Sequence, residues 1–422
     1  MSAASLHARV ARRVLPTLFV CYLVNYVDRV NVSFAKTHLS AALGLGDAAY
    51  GLGAGLFFIG YFFFQVPSNL LLHRIGARRC ISLIIVLWGL ISALGAFIRT
   101  EEEFYVQRLL LGAAEAGFFP GVILYLTTWF PSSVRARILA VFLTAIPVAG
   151  LVGGPVSGLI LENASGAGLE AWQWLFILEG MPCALLAAWV HRTLPDRPAD
   201  APWLTPEERA ALEADLAADR APAAAEGSAW RALAHPLVGK LCLLYFCTMM
   251  GLYGLSFWLP QIIQGLGWRG PLQVGLLSAV PWSFAVLFML LLGARSDRKR
   301  ERRGHAAFAG VVAAAGFALC GLTQDSMLGL VAISLAAAGV MGMMAVQWSL
   351  PGALLSGTAA AAGIALVNSF GNLGGFVSPF AVGRLAEVTH SADAGLFLTA
   401  GSLLFGAVLL LASPGLEPTC RR

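Results

Sequence analysis

"GLVGGPVSG", residues 150–158, returns as "GNLGGFVSP" at residues 371–379. Five of the nine positions agree under a shift of 221, which carries Gly150 onto Gly371. Glycine-rich sequence alone can produce such a match. The same shift also lays Arg74, Arg78 and Arg79 of "HRIGARR" on Arg295, Lys299 and Arg300 of "GARSDRKRERR". Two unrelated segments sharing one offset mark an internal repeat.

Around these segments the chain is 58% hydrophobic and 12% charged, against about 25% charged for a soluble globular domain. A run of about 20 apolar residues crosses the hydrocarbon of a bilayer, and a helix satisfies its own backbone hydrogen bonds there. Twelve such stretches are predicted, near 14–36, 49–70, 80–99, 103–128, 137–161, 172–191, 237–264, 272–294, 305–323, 327–350, 357–383 and 395–413. A polar segment divides six from six. The chain therefore reads as an all-α membrane protein of twelve transmembrane helices in two six-helix pseudo-repeats. Residues 1–192 form the first half, 193–236 a cytoplasmic linker and 237–422 the second half.

Arg9, Arg12 and Arg13 resemble the start of a signal peptide, but no A-x-A-like site follows and eleven more apolar runs come after. An uncleaved first span is expected. Of the 28 Lys and Arg residues, four (Lys36, Arg99, Arg269, Arg384) fall on the far side and two (Arg29, Arg108) inside spans. The remainder share the side of the termini, which places both termini in the cytoplasm. The net charge of +5 thus serves topology and calls for no nucleic-acid partner. The seven cysteines form no C-x-x-C pair, so neither a disulfide framework nor a zinc site is indicated. In the linker, Thr205-Pro206-Glu207-Glu208 reads as a helix start, with Thr capping and Pro first. The charges of that helix are expected to be solvated.

The informative residues are the charges inside spans. "VNYVDRVNVSF", residues 24–34, places Asp28 and Arg29 in an apolar run, and "QRLLLGAAEAGFFPG" places Arg108 and Glu115 in another. Each unpaired charge at mid-bilayer costs about 2.5–3.5 kcal/mol. Structural ion pairs or interfacial snorkelling are the plain explanation; a water-filled pathway is the other. Spacing favours the pathway. Tyr22, Tyr26, Arg29 and Ser33 share one helical face that suits an anion, while Asp28 is turned about 100° away. Arg108 and Glu115 lie two turns apart on one face, about 10 Å along the axis, with Gly112 between them making room for a substrate or a helix. A carboxylate beside a guanidinium exchanges its proton according to what else that guanidinium holds. That is a coupling mechanism.

Under the repeat shift Asp28, Arg108 and Glu115 fall on Met249, Gly329 and Ala336. The second half offers neutral groups instead: Gln347 and Trp348 in "VQWSLPG", Asn368 and Asn372 in "VNSFGNLGG". Asn also serves as plain inter-helix glue, and for Asn372 that role is preferred. The glycines of the fifth span are read as close helix packing.

"NYVDRVNVSFA", "GYFFFQVPSNLLLHRIGARR", "RLLLGAAEAGFFPGVILYLTTWFP" and "GIALVNSFGNLGGFVSP" together resemble the anion:cation symporter family of the major facilitator superfamily. The resemblance implies the major facilitator fold and proton-coupled carriage of organic anions such as sugar acids, tartrate and phthalate. It implies that Arg29, with Tyr26 and Tyr61, binds the substrate carboxylate, and that Asp28 and Glu115 carry protons with Arg108 supporting Glu115. Asn368 and Trp348 resemble the second-half substrate contacts. Arg74, Arg78, Arg79, Asp297 and Arg298 match the superfamily's loop motif, from which Asn69 and His73 depart where the second copy keeps Gly293 and Asp297. His73 is read as structural. Gln347 stands where related sequences often carry an aromatic residue, which bears on substrate size and polarity.

The expected function is import of small organic carboxylates in symport with protons by alternating access. It needs no cofactor beyond the proton gradient, no metal and no second subunit, and suits a multi-pass protein of a bacterial plasma membrane. The alternative is efflux of an anion or drug by proton antiport. No H-E-x-x-H, G-x-S-x-G or P-loop pattern occurs, so an enzyme is not expected.

Overall fold

The structure, a computed structural model, describes residues 3–219, 236–323, 325–348, 350 and 357–416. Among these the regular structure is helical, apart from an isolated bridge between Gly166 and Leu169. Among the described residues, eleven helices are long and apolar enough to cross a membrane. They are Ser5–Leu43, Asp47–Leu72, Ala77–Phe97, Glu101–Thr127, Ser132–Asn163, Ala171–Thr193, Pro236–Gly265, Pro271–Lys299, Arg303–Leu322, Ser326–Gln347 and Asp393–Leu411. Gly357–Thr389, of 33 residues, completes the set as the eleventh span in chain order. Each overlaps one predicted stretch. The shift of 221 carries Ala145–Asn163 into Gly357–Thr389, whereas Asp47–Ile75 falls on Pro271–Lys299 under a shift of 224, which lays Arg74 on Arg298 and not, as read from the sequence, on Arg295.

Several spans are broken where the sequence forces it. The fourth consists of Glu101–Glu115 and Phe118–Thr127. Pro120 has no N–H for the carbonyl four residues back, at Ala116, so the helix parts there. Glu115 consequently ends a helical segment near mid-span.

The end of the molecule that bears residues 44–46 is sealed by glycine-mediated contact between spans. A Cβ on Gly51 would lie 2.3 Å from the Pro379 carbonyl oxygen, and one on Gly383 would lie 2.2 Å from that of Asp47, joining the second and eleventh spans. Between the fifth and eighth, a Cβ on Gly154 would meet the Gly275 oxygen at 2.7 Å, and one on Gly158 the Pro271 oxygen at 2.7 Å. The fifth-span glycines thus provide the close packing expected of them.

On the other face, the predicted linker helix forms over Pro206–Asp219. Its capping is reciprocal: the Glu208 amide donates to Thr205 Oγ1 at 3.2 Å and the Thr205 amide to Glu208 Oε2 at 3.1 Å, a capping box. Its charges are not simply solvated, contrary to the sequence reading. Glu208 pairs with Arg9, Asp215 faces His7, and Asp219 accepts from the Ser132 amide (2.9 Å), its hydroxyl (2.5 Å) and Arg135 (3.3 Å). The cause is apolar. Buried Leu212 and Leu216 fix the helix to the protein, which brings its acids against the basic ends of the first and fifth spans.

Candidate functional site

Asp28, Arg29, Arg108 and Glu115 are all buried, at 1%, 5%, 1% and 0% exposure, so each must be offset from within the protein. Arg29 makes the central contact. Its Nε and Nη2 donate to the same oxygen of Glu115, Oε2, at 3.0 and 2.7 Å. Nη2 also donates to Asn25 Oδ1 at 3.1 Å, and Nη1 to the Tyr253 hydroxyl at 3.3 Å. The rings of Phe57 and Tyr61 flank the guanidinium at 5.0 and 5.5 Å.

Arg108 does not hydrogen-bond Glu115 among the described residues, although the charges of the two groups act on each other. Arg108 Nη2 donates to the Arg29 carbonyl at 3.2 Å, its guanidinium lies over Phe57 and Phe257, and its Nε and Nη1 find no partner. Seven-residue spacing aligned the pair on one helix, but the first span crosses at the break after Glu115 and supplies the nearer guanidinium. Gly112 is likewise taken by protein. A Cβ there would sit 1.8 Å from the Phe57 carbonyl oxygen, so the second span fills the space.

Asp28 points away from Arg29, as helical geometry requires. Its Oδ1 accepts from the Ser92 hydroxyl and from Asn31 Nδ2 at 3.2 Å.

Between the first six and last six spans lies a cavity of about 30 Å³, room for a water or two and not for an organic anion. The first six contribute Tyr22, Arg29, Tyr61 and Phe119; the last six contribute Tyr245, Tyr253, Trp348, Asn368 and Asn372. Arg29, Tyr61, Trp348 and Asn368 therefore converge as the sequence suggested. The open watery pathway does not surround them in this conformation. Tyr26 keeps its ring 6.0 Å from the Arg29 guanidinium but does not line the cavity; its hydroxyl is 2.8 Å from Ser256 Oγ across the junction of the first and seventh spans. Gln347 is turned away from its neighbour Trp348 and accepts from Thr248 Oγ1 at 2.6 Å. Asn372, expected as glue, lines the cavity.

Sequence reasoning missed Tyr245 and Tyr253. Two phenols eight residues apart in "YFCTMMGLY", about two helical turns, were the available signal. The polar lining groups, phenols, amides and an indole around one guanidinium, can each donate a hydrogen bond, a set compatible with an anion.

The loop-motif residues lie away from the cavity. The Arg78 amide donates to Asp196 Oδ1 at 2.8 Å, and Gly76, at φ +86°, turns the chain tightly there. Asp297 pairs with Arg302, while Arg74, Arg79 and Arg298 are exposed. The side chain of His73 lies outside the described residues. Among the described residues no group of three His, Cys, Asp or Glu is placed to hold a metal.

The model of the Major Facilitator Superfamily matches residues 18–379. A protein of Agrobacterium vitis described as a candidate tartrate transporter is 43% identical over 96% of this chain and 91% of its own. A quinolone resistance transporter of Acinetobacter baumannii is 42% identical over 94% and 92%. Among solved structures, the partially occluded inward open conformation of the xylose transporter XylE from E. coli superposes with a TM-score of 0.74. It does so at 13% identity, over 95% of this chain and 99% of that one.

Proposed function

The chain belongs to the Major Facilitator Superfamily, and we propose that this multi-pass secondary transporter of the inner membrane imports small organic carboxylates together with protons. It is a carrier and not an enzyme. The observation that carries the reading is the clasp of Arg29 on Glu115 at the cavity between the two sets of spans. The Glu115 carboxylate occupies the place at Arg29 that a substrate carboxylate would take. Once Glu115 accepts a proton, its hold on the guanidinium weakens and Arg29 is free to bind the cargo in a fork. The site is neutral before and after: the arriving negative charge replaces the one the proton removed. Asp28 serves as a further proton carrier.

Tyr61, Trp348 and Asn368 are the other substrate contacts in this reading. Tyr26 and Gln347 join only after their bonds to Ser256 and Thr248 exchange. A sugar acid, a tartrate-like dicarboxylate or an aromatic acid fits one arginine among phenols and amides. With the termini cytoplasmic, the sealed end is the outer one, and rocking of the two halves exposes the site alternately. The cycle needs no cofactor beyond the proton gradient, and one copy suffices.

The test is uptake into proteoliposomes under an inward proton gradient with labelled carboxylates, tartrate among them. The wild type accumulates its substrate, and Glu115→Gln exchanges bound substrate without accumulating it. Unchanged accumulation in Glu115→Gln refutes the coupling role. A second reading, efflux by proton antiport, is favoured by the likeness to the quinolone resistance transporter. Direction of transport in inverted vesicles separates the two.

A further inference from the structure

Glu179, in the sixth span, takes no part in the Arg29 site. It is 8% exposed, its Oε1 accepts from Ser157 Oγ at 2.7 Å, and its Oε2 has no partner. Asn31 interacts with it and also donates to Asp28 at 3.2 Å, so the amide links the two carboxyl groups. Asp28 Oδ2 and Asn31 Oδ1 are unpartnered as well, and Asn31 is 1% exposed.

The charged and titratable surroundings are sparse. Glu115 and Arg108 act on Asp28 from the fourth span, and Cys183 lies beside it in the sixth. The third span contributes the Ser92 hydroxyl and the fifth that of Ser157. No basic side chain hydrogen-bonds to Asp28 or Glu179 among the described residues. Among the described residues, three buried oxygens of one cluster thus accept no hydrogen bond. Buried acceptors are costly when unsatisfied. A hydrogen on either carboxyl turns one of the three into a donor for another and removes a buried charge.

We propose that Asp28, Asn31 and Glu179 form a second proton-holding site, in which Glu179 binds and releases a proton independently of the Arg29–Glu115 clasp. A metal cation suits the same oxygens less well. Among the described residues no group of three His, Cys, Asp or Glu is placed to hold one. The role of this proton in transport rests on the symport reading, whereas its binding does not.

Infrared titration of the purified full chain in lipid tests the binding without any substrate. The band of protonated carboxyl groups is followed as pH is raised. Glu179→Gln loses one component of that band. Asp28→Asn moves the Glu179 component to lower pH, because a neighbouring negative charge is gone. Ser157→Ala keeps the carboxyl but removes a donor to its ionised form, so the component persists to higher pH by roughly one unit. A band identical in the wild type and Glu179→Gln overturns the proposal. If Glu179→Gln does not fold, an unmoved midpoint in Ser157→Ala overturns it instead. A midpoint that falls when sodium chloride replaces choline chloride identifies a cation site and also overturns it. Failure of carboxylate uptake leaves these titrations unaffected, so the two readings fail separately.

Discussion

Arg29 holds Glu115 through two N–H bonds to one oxygen, and that geometry depends on a planar fork. Lysine keeps the charge and loses the fork. Arg29→Lys is therefore expected to weaken carboxylate binding at least tenfold, as read by calorimetry, with the fold retained; wild-type affinity would count against the anion site. At this scale the sequence was partly legible. A charge in an apolar run announces itself, which is why Asp28, Arg29, Arg108 and Glu115 stood out. Which charge meets which depends on helix crossings, and spacing within one helix named Arg108 where the first span supplies Arg29. Glu179 went unnoticed because no charge at helical spacing accompanies it in the sixth span.

The helices themselves were legible because hydrocarbon imposes their length and composition. Their breaks were less so, since Pro120 lies on the C-terminal side of the break that ends the Glu101–Glu115 segment. The docking of the linker helix was not legible, because its acids find partners 84 to 208 residues away. Asp219 caps the helix Ser132–Leu143 from outside that helix's own sequence. The Ser132 hydroxyl foremost, with its amide and Arg135, holds the Asp219 carboxyl below the usual carboxylate range. A lowered folded value means that the contribution is complete above about pH 4 and is lost as pH falls through the folded value. Asp219→Ala is expected to speed hydrogen exchange at the Ser132 amide roughly two- to thirtyfold, the effect of losing a cap. The factor should be the same at pH 6 and pH 8. A factor that shrinks between them would assign the contact to a group titrating near neutrality.

For the whole molecule, the repeat was legible from two segments taken together, and the helices agree with it under shifts of 221 for the fifth and eleventh spans and 224 for the second and eighth. The conformation was not, because a carrier's sequence encodes more than one. This one is sealed where glycines of the fifth and eighth spans meet. Gly154→Val places a side chain against the Gly275 carbonyl and should hold that end open. A cysteine replacing Asn372 in the cavity should then react faster with an impermeant thiol reagent applied from that side. An unchanged rate would show that the seal does not govern access.

In the proposed cycle cargo and Glu115 compete for one guanidinium, so that a proton must arrive with the anion. The most direct measurement is proton uptake on carboxylate binding, obtained from calorimetry in buffers of different ionisation enthalpy. The account predicts net uptake by the wild type, with Glu115→Gln binding the same anion and taking up correspondingly less. Binding without uptake in the wild type, or equal uptake in the variant, would contradict it.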